Sequence, residues 1–296
     1  MTFYELNVNL NIIISKEAYM IKIVVDSTGY IPKDVLEKYD IKVVPLKIRF
    51  GNEEFKETDI SVEEFYRRLV SSKELPKTSQ PSPQDFIEVY KPLLDEGHEI
   101  LSIHLSQKIS GTINSARIAI ETLKTDRIRI VDSQSTTFSL RFLAEYAIGL
   151  IEKELPFEKV FEETQNAVKR IYNRFVLYHL KYLVEGGRLN RAEGLLGEVL
   201  NIKPVLSFTN GEVKVESVAR SLNRAKEVLL KFVKEINDTK GIERLSIIHG
   251  INNDVEEFEE KVKEITDAKI EKLLCGAVVG VYGGPEWIGV GILGKE

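Results

Sequence analysis

The chain has 296 residues, a formal net charge of −5 and 29% charged residues of mixed sign, a length that supports two hydrophobic cores. With no basic block or basic helix face, it lacks the electrostatic footprint of a nucleic-acid binder. A single cysteine excludes an intramolecular disulfide and any zinc spacing. Cys275, set between Leu273-Leu274 and Ala277-Val278, reads as a buried structural thiol in a reducing, cytoplasmic compartment.

Residues 1–19 (MTFYELNVNLNIIISKEAY) lack a basic leader, and their apolar patch at Ile12 to Ile14 is too short for a signal or a span. They read as an extension before a unit that starts at Met20. No other stretch approaches the roughly 20 apolar residues of a membrane span, so no stable membrane insertion is expected. IKIVVDSTG (21–29) is a β-branched run closed by a polar turn, as in the buried strands of open α/β sheets. A short helix is expected over Pro32 to Tyr39. IKVVPLKIRF follows as one strand, with Pro45 marking an edge or a bulge. Asn52 to Asp59 reads as a charged loop, and Ser61 with Glu64 as a capping box for a helix through Val70.

In KTSQPSPQDF (77–86) two prolines forbid a helix or a central strand, and Ser82-Pro83 starts the next helix. The loop before it holds Thr78 and Ser79 on a stiff backbone, which suits a ligand. The stretch 100–117, ILSIHLSQKISGTINSAR, is the centre of the pattern: a buried strand, a hydroxyl-rich turn, then a helix opened by Gly111 and Thr112. The first N–H groups of a helix lack internal partners and favour an anion. Ser110 is placed either to cap that helix or to face a ligand, while Gly111 admits close approach. RIRIVDSQST (127–136) repeats the motif, so the turns at Asp26-Ser27, Ser106 to Ser110 and Asp132-Ser133 share one edge of a parallel sheet. Helices are expected at 139–152 and 157–173.

A change of pattern then puts a division near 174, giving units at 20–173 and 174–296. FVLYHL reads as a strand, and KYLVEGGRLNRAEG as a Gly186-Gly187 break with two arginines before a helix. NIKPVLSF and GEVKVESVAR form a hairpin through Asn210-Gly211, and SLNRAKEVLLKFVKEI is an amphipathic helix. RLSIIHG is a strand, Asp254 to Thr266 a charged helix, and 269–293 strand material interrupted by Gly283-Gly284-Pro285.

Catalytic motifs are missing: no Walker loop, no G-x-G-x-x-G after a strand, no H-E-x-x-H, no G-x-S-x-G. His98, His104 and His179 read as structural imidazoles, and Asp26 and Asp132 as braces of their turns. Hydroxyls and N–H groups without a base suit holding an anion better than breaking a bond. Two rivals stay open: a hydrolase or acyltransferase using Ser110 with His249, and a binder of a small anion such as a sugar phosphate.

IKIVVDSTG, KTSQPSP, LSQKISGTINSA, RIRIVDSQS, EGGRLNRA and NIKPVLSF, in this order, resemble the DegV family of bacterial fatty-acid-binding proteins, which includes the FakB-type subunits of a two-part fatty acid kinase. The likeness runs from about Met20 to the C-terminus. It implies an α/β fold of two α/β domains, the first with a mainly parallel sheet flanked by helices, and a site between them. A long-chain fatty acid such as palmitate or stearate is the implied ligand, its tail in an apolar tunnel and no other cofactor needed. Thr78 and Ser110 match the residues that bind its carboxyl group. Ser27, Ser79, Gly111 and Thr112 complete the expected set. Tyr282 joins them where FakB-type members commonly carry a histidine; its hydroxyl can bond a carboxylate without titrating near neutrality. Arg220, in VARSLNRA, matches an arginine that docks an ATP-dependent kinase partner. The implied role is transport, or presentation of the carboxyl group to that kinase, with no catalytic residue in this chain. A sensor whose partner reads lipid occupancy is a further alternative.

Overall fold

A computed structural model describes residues 20–189 and 202–295. The extension at 1–19 and the helix expected after the two arginines lie outside the described residues. The strands are β1 (Ile21–Asp26), β2 (Lys42–Val44), β3 (Lys47–Phe50), β4 (Glu53–Lys56), β5 (Lys77–Ser79), β6 (Glu99–His104) and β7 (Ile128–Asp132), then β8 (Ile171–Leu177), β9 (Lys203–Thr209), β10 (Glu212–Ala219), β11 (Ile242–His249), β12 (Ile270–Leu274) and β13 (Trp287–Gly294).

β1, β2, β6 and β7 form a parallel sheet in the order β2-β1-β6-β7. Strand side chains alternate between faces, and here both faces are covered. Ile23, Val25, Leu101 and Ile103 meet the helices Phe138–Ile151 and Phe157–Ala167. Val24 and Ile100 meet Phe86 and Tyr90 of Pro83–Asp95 and Ala116 and Ala119 of Thr112–Leu123. That double cover is why these strands read as nearly continuous apolar runs.

The run 41–50 is two strands rather than one. β2 ends at Val44, and β3 belongs to a separate antiparallel sheet, β4-β3-β5. Pro45 has no N–H to continue a ladder, so the chain leaves the edge of one sheet there and enters the next. The charged loop expected at 52–59 is β4 followed by a single 3-10 turn, Glu57–Asp59, in which Glu57 is buried. Ser61 accepts from the Glu64 N–H, but the Glu64 carboxylate pairs with Arg67, so only half of that box forms. A full reciprocal box stands at Ser82 and Asp85.

The helix expected to reach 173 stops at Ala167, and after a 3-10 turn β8 begins at Ile171. β8 pairs with β13 from Leu177↔Trp287 to Ile171↔Leu293, and this long antiparallel ladder outcompetes continued helix. The second sheet runs β10-β9-β8-β13-β11-β12, with only β11 and β12 parallel. Asn210 (φ 52°) and Gly211 (φ 83°) make its expected hairpin turn. One face packs on Leu222–Thr239 and Val255–Lys263. The other face meets Phe138 and Phe142 of Phe138–Ile151, whose Leu140, Leu143 and Ala147 point to the parallel sheet. That helix is apolar nearly all round because it lies between two sheets.

The C-terminal segment holds a helix, Ala277–Gly283, where strand material was expected. A short apolar run does not distinguish a buried helix from a strand. Packing decides it: Gly280 lies so close to Phe65 that an added Cβ would stand 2.5 Å from its ring. Cys275 is buried as expected, and burial raises its thiol pKa.

Candidate ligand-binding site

β1, β6 and β7 end on one edge, and their polar turns are laced together there. Asp26 Oδ1 accepts from the Thr28 N–H (3.0 Å) and hydroxyl (2.6 Å). Its Oδ2 accepts from the Leu105 N–H (2.8 Å) and stands 3.2 Å from His104 Nδ1. His104 Nε2 in turn meets Ser102 Oγ (2.7 Å), which meets the Tyr90 hydroxyl (2.6 Å). Asp26 and His104 are therefore braces. The Ser106 N–H donates to Ser135 O and the Ser133 N–H to His104 O, which ties in the third turn.

The 77–80 loop crosses this edge from the side. β5 is an edge strand with Thr78 opposite Ile48, and the Thr78 and Tyr282 hydroxyls are hydrogen-bonded at 2.5 Å. Gln80 folds over Gly111 and donates to Ser115 Oγ (3.1 Å); a Cβ on residue 111 would fall 2.0 Å from Gln80 Oε1. Gly111 itself is the N-cap of Thr112–Leu123 and supplies no capping side chain. Ser110 sits one residue earlier, bonded to the Thr112 hydroxyl (2.9 Å).

These groups line a cavity of about 530 Å³ whose wall includes Thr78, Ser79, Gln80, Ser110, Gly111 and Tyr282. The structure brings together five of the seven residues expected at the ligand. Thr112 is fully buried and holds Ser110 without reaching the wall. Ser27 is placed outside this wall: its hydroxyl donates to Glu57 Oε2 (2.5 Å) and accepts from the Leu46 N–H. The buried carboxyl of Glu57 draws it there. Arg220 is exposed beside the Ser221 N-cap of Leu222–Thr239 and lines none of the cavities described here. His249, at the end of β11, points Nδ1 at Gly250 O (2.6 Å) and is absent from the wall that holds Ser110; burial lowers its pKa.

Several site features escaped the sequence reading. Gln80 and Arg188 lie inside quoted motifs, and only the Gly111 gap hinted at the first. Arg188 joins the cavity wall with its guanidinium 4.5 Å from the Tyr282 ring centroid, so a cation stands beside the hydroxyls. Glu57 Oε1 accepts from the Val278 N–H (2.7 Å) and the Tyr30 hydroxyl (3.0 Å), and Tyr30 accepts from the Val279 N–H (3.2 Å). Glu57 thus caps the helix that carries Tyr282. Burial pushes its pKa up to about 7, against the pull of the Ser27, Val278 and Tyr30 hydrogen bonds.

Behind the polar cavity lies a narrow apolar slot with about 70 Å³ of free space, reaching Phe138, Phe175, Leu177, Ile248 and Trp287. Leu183, Phe208, Val213, Val279, Thr136 and Tyr282 form wall common to both spaces. Among the described residues no helix is long and apolar enough to cross a membrane.

Fold and cavity together define an α/β protein with an anion-suited mouth over an apolar slot. Residues 20–295 match the model of the family described as "Uncharacterised protein, DegV family". A DegV domain-containing protein of Clostridium acetobutylicum is 34% identical over 278 residues, covering 91% of this chain and 96% of the relative. The chain belongs to the DegV family. Its structure is similar to that of a fatty-acid-binding DegV family protein from Thermus thermophilus (28% identity, TM-score 0.85, covering 93% of this chain and 100% of that one). A stearic-acid-binding protein from Eubacterium ventriosum is similar too (28% identity, TM-score 0.82, covering 93% and 99%).

Proposed function

We propose that this protein binds a long-chain fatty acid, with the carboxyl group among Thr78, Ser110 and Tyr282 and the tail in the slot behind them. The observation that carries this reading is the shared wall: a hydroxyl-lined cavity lies against a space bounded by aromatic and aliphatic side chains, with side chains common to both. At about 0.8 kcal/mol per buried methylene, the tail supplies most of the affinity. The hydroxyls, the side-chain-free start of Thr112–Leu123 and Arg188 orient the head group. The fatty-acid binding of the Thermus thermophilus protein and the stearic-acid binding of the Eubacterium ventriosum protein support the same class of ligand. A sugar phosphate would leave the slot empty.

The same reading takes the chain as a cytoplasmic carrier rather than an enzyme; in support, the Ser110 hydroxyl bonds Thr112, and His249 bonds Gly250 O away from that wall. It also divides the chain into units at 20–173 and 174–296, with β8 and the sheet it opens belonging mainly to the second. Presentation to a separate kinase, docked at Arg220, belongs to this proposal. In support, Thr78, Arg188 and Tyr282 also border an outer hollow of about 750 Å³ that carries Lys73, Lys77 and Lys181 beside Glu74 and Glu185, a predominantly cationic approach to the carboxyl group.

Mass spectrometry of the organic extract from purified protein tests the binding. Stoichiometric palmitate-like or stearate-like acid in the wild type, lost in Thr78→Ala/Ser110→Ala, is the expected result. A lipid-free wild type that also fails to take up added fatty acid overturns the reading.

A further inference from the structure

The wall common to cavity and slot contains two hydroxyl groups, those of Tyr282 and Thr136. Tyr282 has a partner in Thr78. Thr136 is only 4% exposed, and its Oγ1 has no hydrogen-bond partner among the described residues. Native structures leave few buried hydroxyls unpaired, because each forgoes its bonds to water without replacement. Tyr66, Ser135, Ser139 and Ser217 also carry unpartnered hydroxyls, yet none lines the cavity or the slot; the unpartnered Nε1 of Trp287 belongs to the slot alone, so of these groups Thr136 is the one on the common wall. The turn that presents it is held in an uncommon conformation: the next residue, β-branched Thr137, has φ 55°. Such backbone is disfavoured and persists only where the surroundings impose it.

We propose that Thr136 is a further carboxyl-binding residue, donating its hydroxyl hydrogen to a carboxylate oxygen of the bound fatty acid at the neck between cavity and slot. This rests on the fatty-acid reading and extends it. The head group then sits at the neck rather than out at the mouth, bonded from the third turn of the sheet edge as well as from Thr78 and Ser110. The unpaired oxygen gains its partner on loading. A hydroxyl there favours the acid because its bond to a charged carboxylate oxygen is about twice as strong as one to the neutral oxygen of an ester, and a hydrocarbon accepts none.

Thr136→Val keeps the shape and removes the hydroxyl; Thr136→Ser keeps the hydroxyl. The chain's single tryptophan, Trp287, lines the slot, so its fluorescence reports tail entry. Titrations with palmitate and with 1-hexadecanol, the same chain without a carboxylate, separate head-group binding from tail binding. Thr136→Val is expected to weaken palmitate about tenfold, leave hexadecanol within about twofold, and be largely restored in Thr136→Ser. Unchanged palmitate affinity in Thr136→Val, or equal losses for both ligands, overturns the assignment while the wild-type titration still stands for the fatty-acid reading. A wild type that binds neither ligand overturns both.

Discussion

Two turns of the same sheet edge are built from the same material and end in opposite states. At Asp26 every polar atom faces inward: the carboxylate holds two N–H groups, a hydroxyl and an imidazole, all buried. At Ser110, six residues beyond the end of β6, the hydroxyl meets only its neighbour Thr112, the N-cap has no side chain, and the surface opens on a cavity. Local sequence is nearly alike, Asp-Ser-Thr-Gly against Ser-Gly-Thr. What separates a brace from a binding site is how much of its hydrogen-bonding capacity the fold itself consumes.

The sharpest way to break this contrast is Asp26→Ala. Leaving the Leu105 and Thr28 N–H groups without an acceptor in a dry core is expected to cost about 3–4 kcal/mol, read as a lowered midpoint in urea unfolding. A loss below about 1 kcal/mol would mean that Asp26 is not the brace described. Next comes Glu57. Its folded pKa of about 7 lies above the ordinary carboxyl value of 4.5, so the folded state holds the proton more tightly than the unfolded chain. The stability this contributes is fully present below about pH 4.5 and is lost as pH rises through about 7, a span of about 3 kcal/mol. Glu57→Gln mimics the protonated form and removes that slope, which urea unfolding at pH 5 and pH 8 measures. An identical pH difference in wild type and variant would rule Glu57 out as its source. The smallest stability effect belongs to Ser110→Ala, within about 1 kcal/mol, although palmitate affinity measured by Trp287 fluorescence falls about tenfold. Large destabilisation there would collapse the distinction between the two turns.

The same contrast explains what could be read from the amino acids alone. The parallel strands were legible because burial on both faces writes continuous β-branched runs. The three turns were legible because parallel strands must end on a common edge. Thr78 and Ser110 fall on one cavity wall. Glu57 was invisible: in NEEFKETD it looks like any solvated acid, and only the approach of Tyr30 and the start of Ala277–Gly283 makes it buried. That helix was hidden for the same reason, since the contact of Gly280 with Phe65, and not periodicity, selects it. The Ser27–Glu57 bond was hidden because a hydroxyl in a polar turn serves a buried carboxyl as well as a ligand. Each of these three cases involves a partner more than 25 residues away.

The bond from the Val278 N–H to Glu57 joins residues 221 apart in the chain, and that from the Val279 N–H to Tyr30 joins residues 249 apart. Contacts of such separation close late, after shorter loops have formed. During synthesis the parallel sheet emerges and can collapse long before Tyr282 leaves the ribosome. The hydroxyl that meets Thr78 therefore arrives 204 residues after it, and a nascent chain that has not reached it has an open-sided mouth and an incomplete slot. The cavity is thus completed by the latest of its contacts to form, long after the sheet beneath it can fold.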